Sequence, residues 1–234
     1  MSDVIEGEIP GNNSKIHDLE LNREINSFIN KLETSPLLVN RLDYYGNSIP
    51  LGSFCFAVSF ILIGFSESRI EAFKHADSFT YLVLLFFGGI GQITAGIFEY
   101  IKSRTFPTVV YLLYGLYFLS FFFGTNSEVL NGKDCIKIFY GTWAGLTLPI
   151  LIASFQINVF YIIQNISTLA FFIVRCIGEC KNNDTLKEIV SGILELVAGF
   201  SSLYICFSQV LNEHFRATIL PTFPINKENE IDFK

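Results

Sequence analysis

Charge is what this sequence most lacks. Asp, Glu, Lys and Arg make up 16% of its 234 residues, where a soluble domain carries about a quarter. So small a share excludes a chain that faces water all round. A basic excess is missing as well. The 16 Lys and Arg stand against 22 Asp and Glu, for a net charge of −6, and nucleic-acid binding calls for a basic face. Much of the negative charge sits in the two tails. Histidine is scarce, with His17, His75 and His214 scattered along the chain. The five cysteines, Cys55, Cys135, Cys176, Cys180 and Cys206, are odd in number, and three fall in apolar runs. A zinc site needs a second ligand pair, so they read as small apolar fillers, and no metal or cofactor is expected. There is no G-x-x-x-x-G-K-[ST] loop and no Ser/His/Asp set with a wet site. Nothing points to catalysis.

What the sequence has in plenty is apolar length. Half of its residues are hydrophobic, 25 of them Phe. Six runs approach the roughly 20 residues that a helix needs to cross the hydrocarbon. They lie at about 50–66, 79–100, 108–124, 137–154, 157–177 and 188–211. Pro50 falls in the first turn of the first run, where a missing N–H costs nothing. A β-barrel would alternate apolar and polar residues, and no such alternation is present. The reading is an all-α membrane protein of six transmembrane helices, its backbone satisfied within each span. The connecting loops are short and hold the charges. The fourth and fifth spans are joined by SFQ alone, which makes a tight hairpin.

Residues 1–44 are expected to form a largely disordered cytosolic tail with no secretory signal. Within them, DLELNREINSFINKLE (18–33) has the spacing of an amphipathic helix lying on a membrane face. Residues 45–215 make the transmembrane domain, and 216–234 a short C-terminal tail. Six spans put both termini on one side. That side carries 9 Lys and Arg against 7 on the other, a weak bias toward cytosolic termini.

Within the spans the informative residues are small or polar. The stretch GGIGQITAGIFEY (88–100) places Gly88, Gly91, Ala95 and Gly96 about a turn apart, the pattern that lets a second helix come close in lipid. Gln92 and Glu99 are seven residues apart and share a face. Glu99 has two open readings: a carboxylate facing a wet or protein interior, or a helix-end group in the headgroup zone paired with Lys102. Asn165 and Thr168 share a face, as do Glu195 and Ser202. Arg175 and Glu179 stand four apart near the end of the fifth span.

Several segments resemble the acetate uptake transporter family, which includes bacterial acetate/succinate–proton symporters and fungal acetate and ammonia-export proteins. GGIGQITAGIFEYIKSRTF (88–106) is similar to the family signature at the second helix. NSIPLGSFCF (47–56) is similar to its N-P-[AV]-P-L-G-L motif, YGLYF (114–118) to the start of its third helix, and VLNEHFRATILP (210–221) to the close of its sixth. The likeness covers about residues 45–222. It implies a hexameric ring with one pore through each protomer. It also implies a mid-membrane constriction at Phe56, Tyr114 and Thr168, with Leu169 beside the last. Asn47, Leu51 and Gly52 fall at the mouth, and Gln92 and Glu99 are the polar and proton candidates.

Three positions depart from the family. Thr168 stands where the family has Leu, and is expected to widen or wet the constriction. Ser48 replaces a proline, and is expected to loosen the start of the first helix. Glu195 falls where relatives carry a small residue. The function implied is a transporter or channel for short-chain monocarboxylates, acetate first, with proton coupling left open. Succinate, ammonia or ammonium as solute, or a non-transporting sensor or scaffold, stay as alternatives. The resemblance places the chain in a multi-pass membrane, the plasma membrane before an organellar one.

Overall fold

The structure, a computed structural model, describes residues 21–31, 46–68 and 77–225. The chain divides into two units, Met1–Gly46 and Asn47–Lys234. In the first, residues 21–31 form helix α1. Leu21, Ile25, Phe28 and Ile29 recur at helical spacing along it and, like the rest of α1, are exposed. The rest of the expected N-terminal tail, 1–20 and 32–45, lies outside the described residues, as does 226–234 of the C-terminal tail.

Among the described residues, the second unit holds six helices long and apolar enough to cross a membrane. They are α2 (Ile49–Glu67), α3 (Phe79–Ile101), α4 (Thr105–Asn126), α5 (Lys133–Ser154), α6 (Val159–Lys181) and α7 (Thr185–Phe215). Most overrun the apolar run that announced them, because polar first and last turns continue the helix past the hydrocarbon. α4 begins before Pro107, since a first-turn proline loses no hydrogen bond. α6 begins later than expected because Asn158 caps it, its side chain accepting the Tyr161 N–H at 3.0 Å.

Each helix packs beside the next in sequence, and α7 returns to pack on α2 more extensively than any other pair. The result is a closed ring in chain order. The seam between α4 and α5 is its thinnest. Aromatic rings fill it: Tyr117 lies 5.7 Å from Phe139 and 5.4 Å from Trp143, centre to centre. The core inside the ring is largely aromatic, with Phe56, Phe60, Tyr114, Tyr117, Phe118 and Phe171 all buried.

The small residues of α3 explain its position. From Leu84–Gly91 the helix widens to π geometry. A Cβ at Gly88 would lie 2.6 Å from Phe118 Cγ, and one at Gly91 would lie 2.6 Å from Cys55 Sγ. The stretch therefore gives up bulk on two sides, toward α4 and toward α2, as the close-approach reading expects. Two other glycines repeat one geometry. A Cβ at Gly115 of α4 would sit 3.2 Å from the Gly89 carbonyl oxygen of α3, and one at Gly199 of α7 would sit 3.2 Å from that of Ala57 in α2.

Candidate functional site

A cavity of about 640 Å³ opens where α2, α4 and α6 begin. Ile49, Phe106 and Asn158 from those first turns line it, together with Arg104, Tyr161 and Gln209. Helix N-termini carry a partial positive charge, so three of them with an arginine favour an anion, although the Ile49, Val159 and Tyr161 N–H groups are already bonded within the chain. The described part of the C-terminal tail closes one side. Val159 N donates to the Phe223 carbonyl at 3.3 Å and Ile225 N to that of Ile157 at 3.2 Å. Tyr204 donates its hydroxyl to the Pro221 carbonyl at 2.8 Å.

Tyr161 leads inward. Its carbonyl accepts from Asn165 Nδ2 at 2.9 Å, and Asn165 Oδ1 in turn accepts from the Tyr114 hydroxyl at 3.2 Å. Tyr114 lies edge-on to Phe56 at 5.1 Å between ring centres, and Phe60 stacks on Phe56 at 4.3 Å. Phe171 completes the wall 5.7 Å from Phe60. The structure thus brings Phe56 and Tyr114 together. Thr168 is fully buried, one turn beyond Asn165, while Leu169 is half-buried. The Thr168 hydroxyl donates to the Gln164 carbonyl of its own helix at 2.8 Å. Its proton is therefore already committed, and Thr168 wets its surroundings less than the sequence led us to expect.

At the start of α2, Asn47 is not left open. Its Nδ2 donates to Gln209 Oε1 at 3.2 Å and to Glu213 Oε2 at 3.0 Å, while its Oδ1 takes the Ile49 N–H at 3.1 Å. Gly52 is buried under the Tyr111 ring, where a Cβ would lie 2.6 Å from Tyr111 Cζ, whereas Leu51 is exposed on the outside of the bundle. Ser48 does the opposite of loosening the chain. Buried, it donates to Glu99 Oε1 and accepts from Lys102 Nζ at 3.2 Å.

Glu99 is fully buried and forms an ion pair with Lys102 at 3.3 Å, with Arg104 at 3.6 Å from its other oxygen. The local pairing with Lys102 read from the sequence is present, and the carboxylate is buried inside the protein. Gln92 is fully buried too, and both its amide atoms lack a hydrogen-bond partner among the described residues.

Residues 28–227 match the GPR1/FUN34/yaaH family. The chain belongs to this family. Among similar proteins is the succinate-acetate/proton symporter SatP of Escherichia coli (strain K12). It is 27% identical over 180 residues, covering 75% of this chain and 94% of that protein. Ammonia transport outward protein 3 of Saccharomyces cerevisiae is 23% identical, over 77% of this chain and 70% of that one. The solved structure of the bacterial acetate channel SatP superposes with a TM-score of 0.69 at 26% identity, covering 76% of this chain and 98% of the other.

Family likeness and local spacing together left several residues unplaced. Asn165 showed its shared face with Thr168 in the sequence, but not its bond to Tyr114. Phe60 is four residues from Phe56, and that spacing was the available signal. At the opposite end of the ring, Arg175 does not bridge to Glu179. Its Nη1 reaches Glu67 Oε2 on α2 at 2.6 Å and the Lys187 carbonyl, while Glu179 pairs with Lys187 Nζ at 3.4 Å.

Proposed function

We propose that this chain is a transporter or channel for short-chain monocarboxylates, with acetate as its principal solute. The observation that carries the reading is the cavity at three helix N-termini, connected through Tyr161 and Asn165 to the aromatic pair Phe56 and Tyr114. Acetate is an anion with a methyl group. The N-termini and Arg104 attract its carboxylate, and a neck of Phe56, Tyr114 and Thr168, with Leu169 beside it, offers the methyl an apolar wall. An apolar neck also raises a dehydration barrier to bare ions. Asn47 and Gly52 shape the mouth on this reading, and Gln92 offers two unbonded amide atoms to a passing solute. Leu51 faces the surroundings of the bundle.

A pore within each protomer suits a closed ring of helices, and assembly as a homohexamer follows from the family resemblance. The slight excess of Lys and Arg on the side of the termini supports cytosolic termini, and the plasma membrane is the location the family resemblance implies. The relatives named for succinate and for ammonia keep those solutes as the second reading.

The test is uptake of labelled acetate, succinate and ammonium into liposomes holding the purified protein, with and without an inward proton gradient. Acetate uptake that exceeds the other two supports the proposal. Failure of all three solutes overturns it in favour of a non-transporting membrane protein.

A further inference from the structure

Beyond the neck, at the end of the ring away from the cavity, titratable side chains from five of the six spans lie within electrostatic reach of one another. Glu67 comes from α2, Tyr117 from α4, Tyr140 from α5, Arg175 from α6 and Glu195 from α7. Glu67 and Arg175 are the charged groups within electrostatic reach of Glu195, and Tyr117 and Tyr140 lie within reach of all three. Arg175 lies over the Tyr140 ring at 5.4 Å. Nearer the start of α7, Lys187 is engaged by Glu179 at 3.4 Å and by Asp184 at 3.8 Å. Glu188 follows it on the same turn.

The cluster holds one fixed cation and two carboxylates. Arg175 is committed to Glu67 at 2.6 Å, and Ser191 adds a contact to the same Glu67 oxygen at 3.4 Å. Glu195 is left over. It is 1% exposed, and its Oε2 has no hydrogen-bond partner among the described residues. Its place is rigid. It lies between Gly192 and Gly199, two positions where α7 comes close to the backbone of α2. A Cβ at Gly192 would lie 3.0 Å from the Gly64 carbonyl oxygen, and one at Gly199 would lie 3.2 Å from that of Ala57. Between those two contacts α2 carries Phe60, which stacks on Phe56 of the neck. An unbalanced carboxylate held away from water has few ways to be stabilised: a cation, a hydrogen-bond donor, or a proton of its own. The described residues donate no hydrogen bond to its Oε2, and Arg175, the cation within its reach, is committed to Glu67.

We propose that Glu195 is a proton-binding site inside the membrane domain, on the far side of the neck from the cavity, with the Arg175–Glu67 pair as its electrostatic frame. The step is a proton transfer alone. A donor, either hydronium or a carboxylic acid, loses its O–H proton, and Glu195 Oε2 gains it to form a neutral acid. With the proton on, the cluster has one cation and one anion. With the proton off, it carries a net negative charge beside an aromatic neck, where it opposes an incoming anion. Proton binding and carboxylate passage are thereby coupled. The coupling rests on the transport reading, whereas the proton site does not.

Two measurements keep these apart. The first is infrared spectroscopy of the full-length protein in lipid, titrated with pH. The wild type is expected to show a carboxylic-acid C=O band that disappears as pH rises, is displaced in Glu195→Asp and is missing in Glu195→Gln. A titrating band unchanged in both variants, or no such band in the wild type, overturns the proton site. Glu195→Asp keeps the question open to an answer if the amide variant fails to fold. The second is acetate uptake against pH in liposomes, with a pH-sensitive dye inside. Glu195→Gln is expected to flatten the pH profile and to abolish the internal acidification that accompanies uptake. An unchanged profile in a variant that has lost the band sinks the coupling. Absence of uptake in the wild type at every pH counts instead against the transport reading, and leaves the infrared result standing.

Discussion

The hydroxyl of Tyr114 donates to Asn165 Oδ1 across 3.2 Å, tying α4 to α6 over the interior of the ring. Both residues are at most 1% exposed, so removing the donor strands an acceptor inside the protein. Tyr114→Phe keeps the edge-on contact with Phe56 and leaves Asn165 presenting an unbonded oxygen to a passing anion. One neutral hydrogen bond is worth about 1 kcal/mol, so acetate uptake should fall roughly fivefold with a stability loss of similar size. Liposome flux and a thermal unfolding curve check the two halves.

Ser48 and Glu99 form a second tie, at the mouth. Ser48→Ala removes a donor to a buried carboxylate, which costs about 1.5–3 kcal/mol. Glu99→Gln is expected to cost more, about 3–5 kcal/mol, because Lys102, whose side chain is 4% exposed, then faces a neutral amide. Thermal unfolding in one detergent ranks the two. If Glu99→Gln unfolds like the wild type yet alters the pH profile of uptake, Glu99 works in transport rather than in holding the fold.

Close helix contact makes Gly199 and Gly145 a matched pair. A Cβ at Gly199 would meet Ile61 Cγ1 at 2.7 Å and the Ala57 carbonyl oxygen at 3.2 Å, whereas one at Gly145 meets nothing within 4 Å inside the protomer. Gly199→Ala should destabilise by about 1–3 kcal/mol, the range for overpacking. Gly145→Ala should be neutral or stabilising by up to about 1 kcal/mol from helix propensity. Equal unfolding temperatures for the two variants would contradict the α2–α7 packing.

Thr168 allows a test of the neck. Its hydroxyl proton is spent on Gln164, so Thr168→Val should leave the acetate-to-succinate uptake ratio within about twofold. Leu169→Ala, beside it, removes about three carbons of bulk and should raise succinate uptake if Leu169 turns inward. A shift in the ratio for Thr168→Val alone would place a working hydroxyl in the path.

Assembly can be weighed directly. Only 17% of the span window of α5 is buried, against 39–50% for the other five. An outer helix so bare suits contact with neighbouring protomers as well as lipid. Light scattering in mild detergent is expected to give six times the protomer mass. A monomer in several detergents and in nanodiscs would defeat the hexamer.

The sequence by itself determined the class and the number of elements. Apolar length is a local property, so six runs gave six helices with ends correct to within a few residues. The i,i+3 pair of Glu99 and Lys102 was legible for the same reason, as were the small faces of α3. Family motifs pointed to Phe56 and Tyr114 before any contact was known. What only the tertiary structure decided is which polar groups meet across helices. Arg175 chose Glu67, 108 residues away, over Glu179 one turn along. Ser48 was read as a weaker proline and proved to be a tether, because Glu99 of α3 comes within reach of it. Glu195 was visible only as an oddity in an apolar run, since its surroundings come from four other helices. Periodicity reports the face on which a residue lies, and ring closure between α7 and α2 determines what that face meets. In an interior that offers few alternative partners, that meeting fixes whether a polar side chain is balanced or left over.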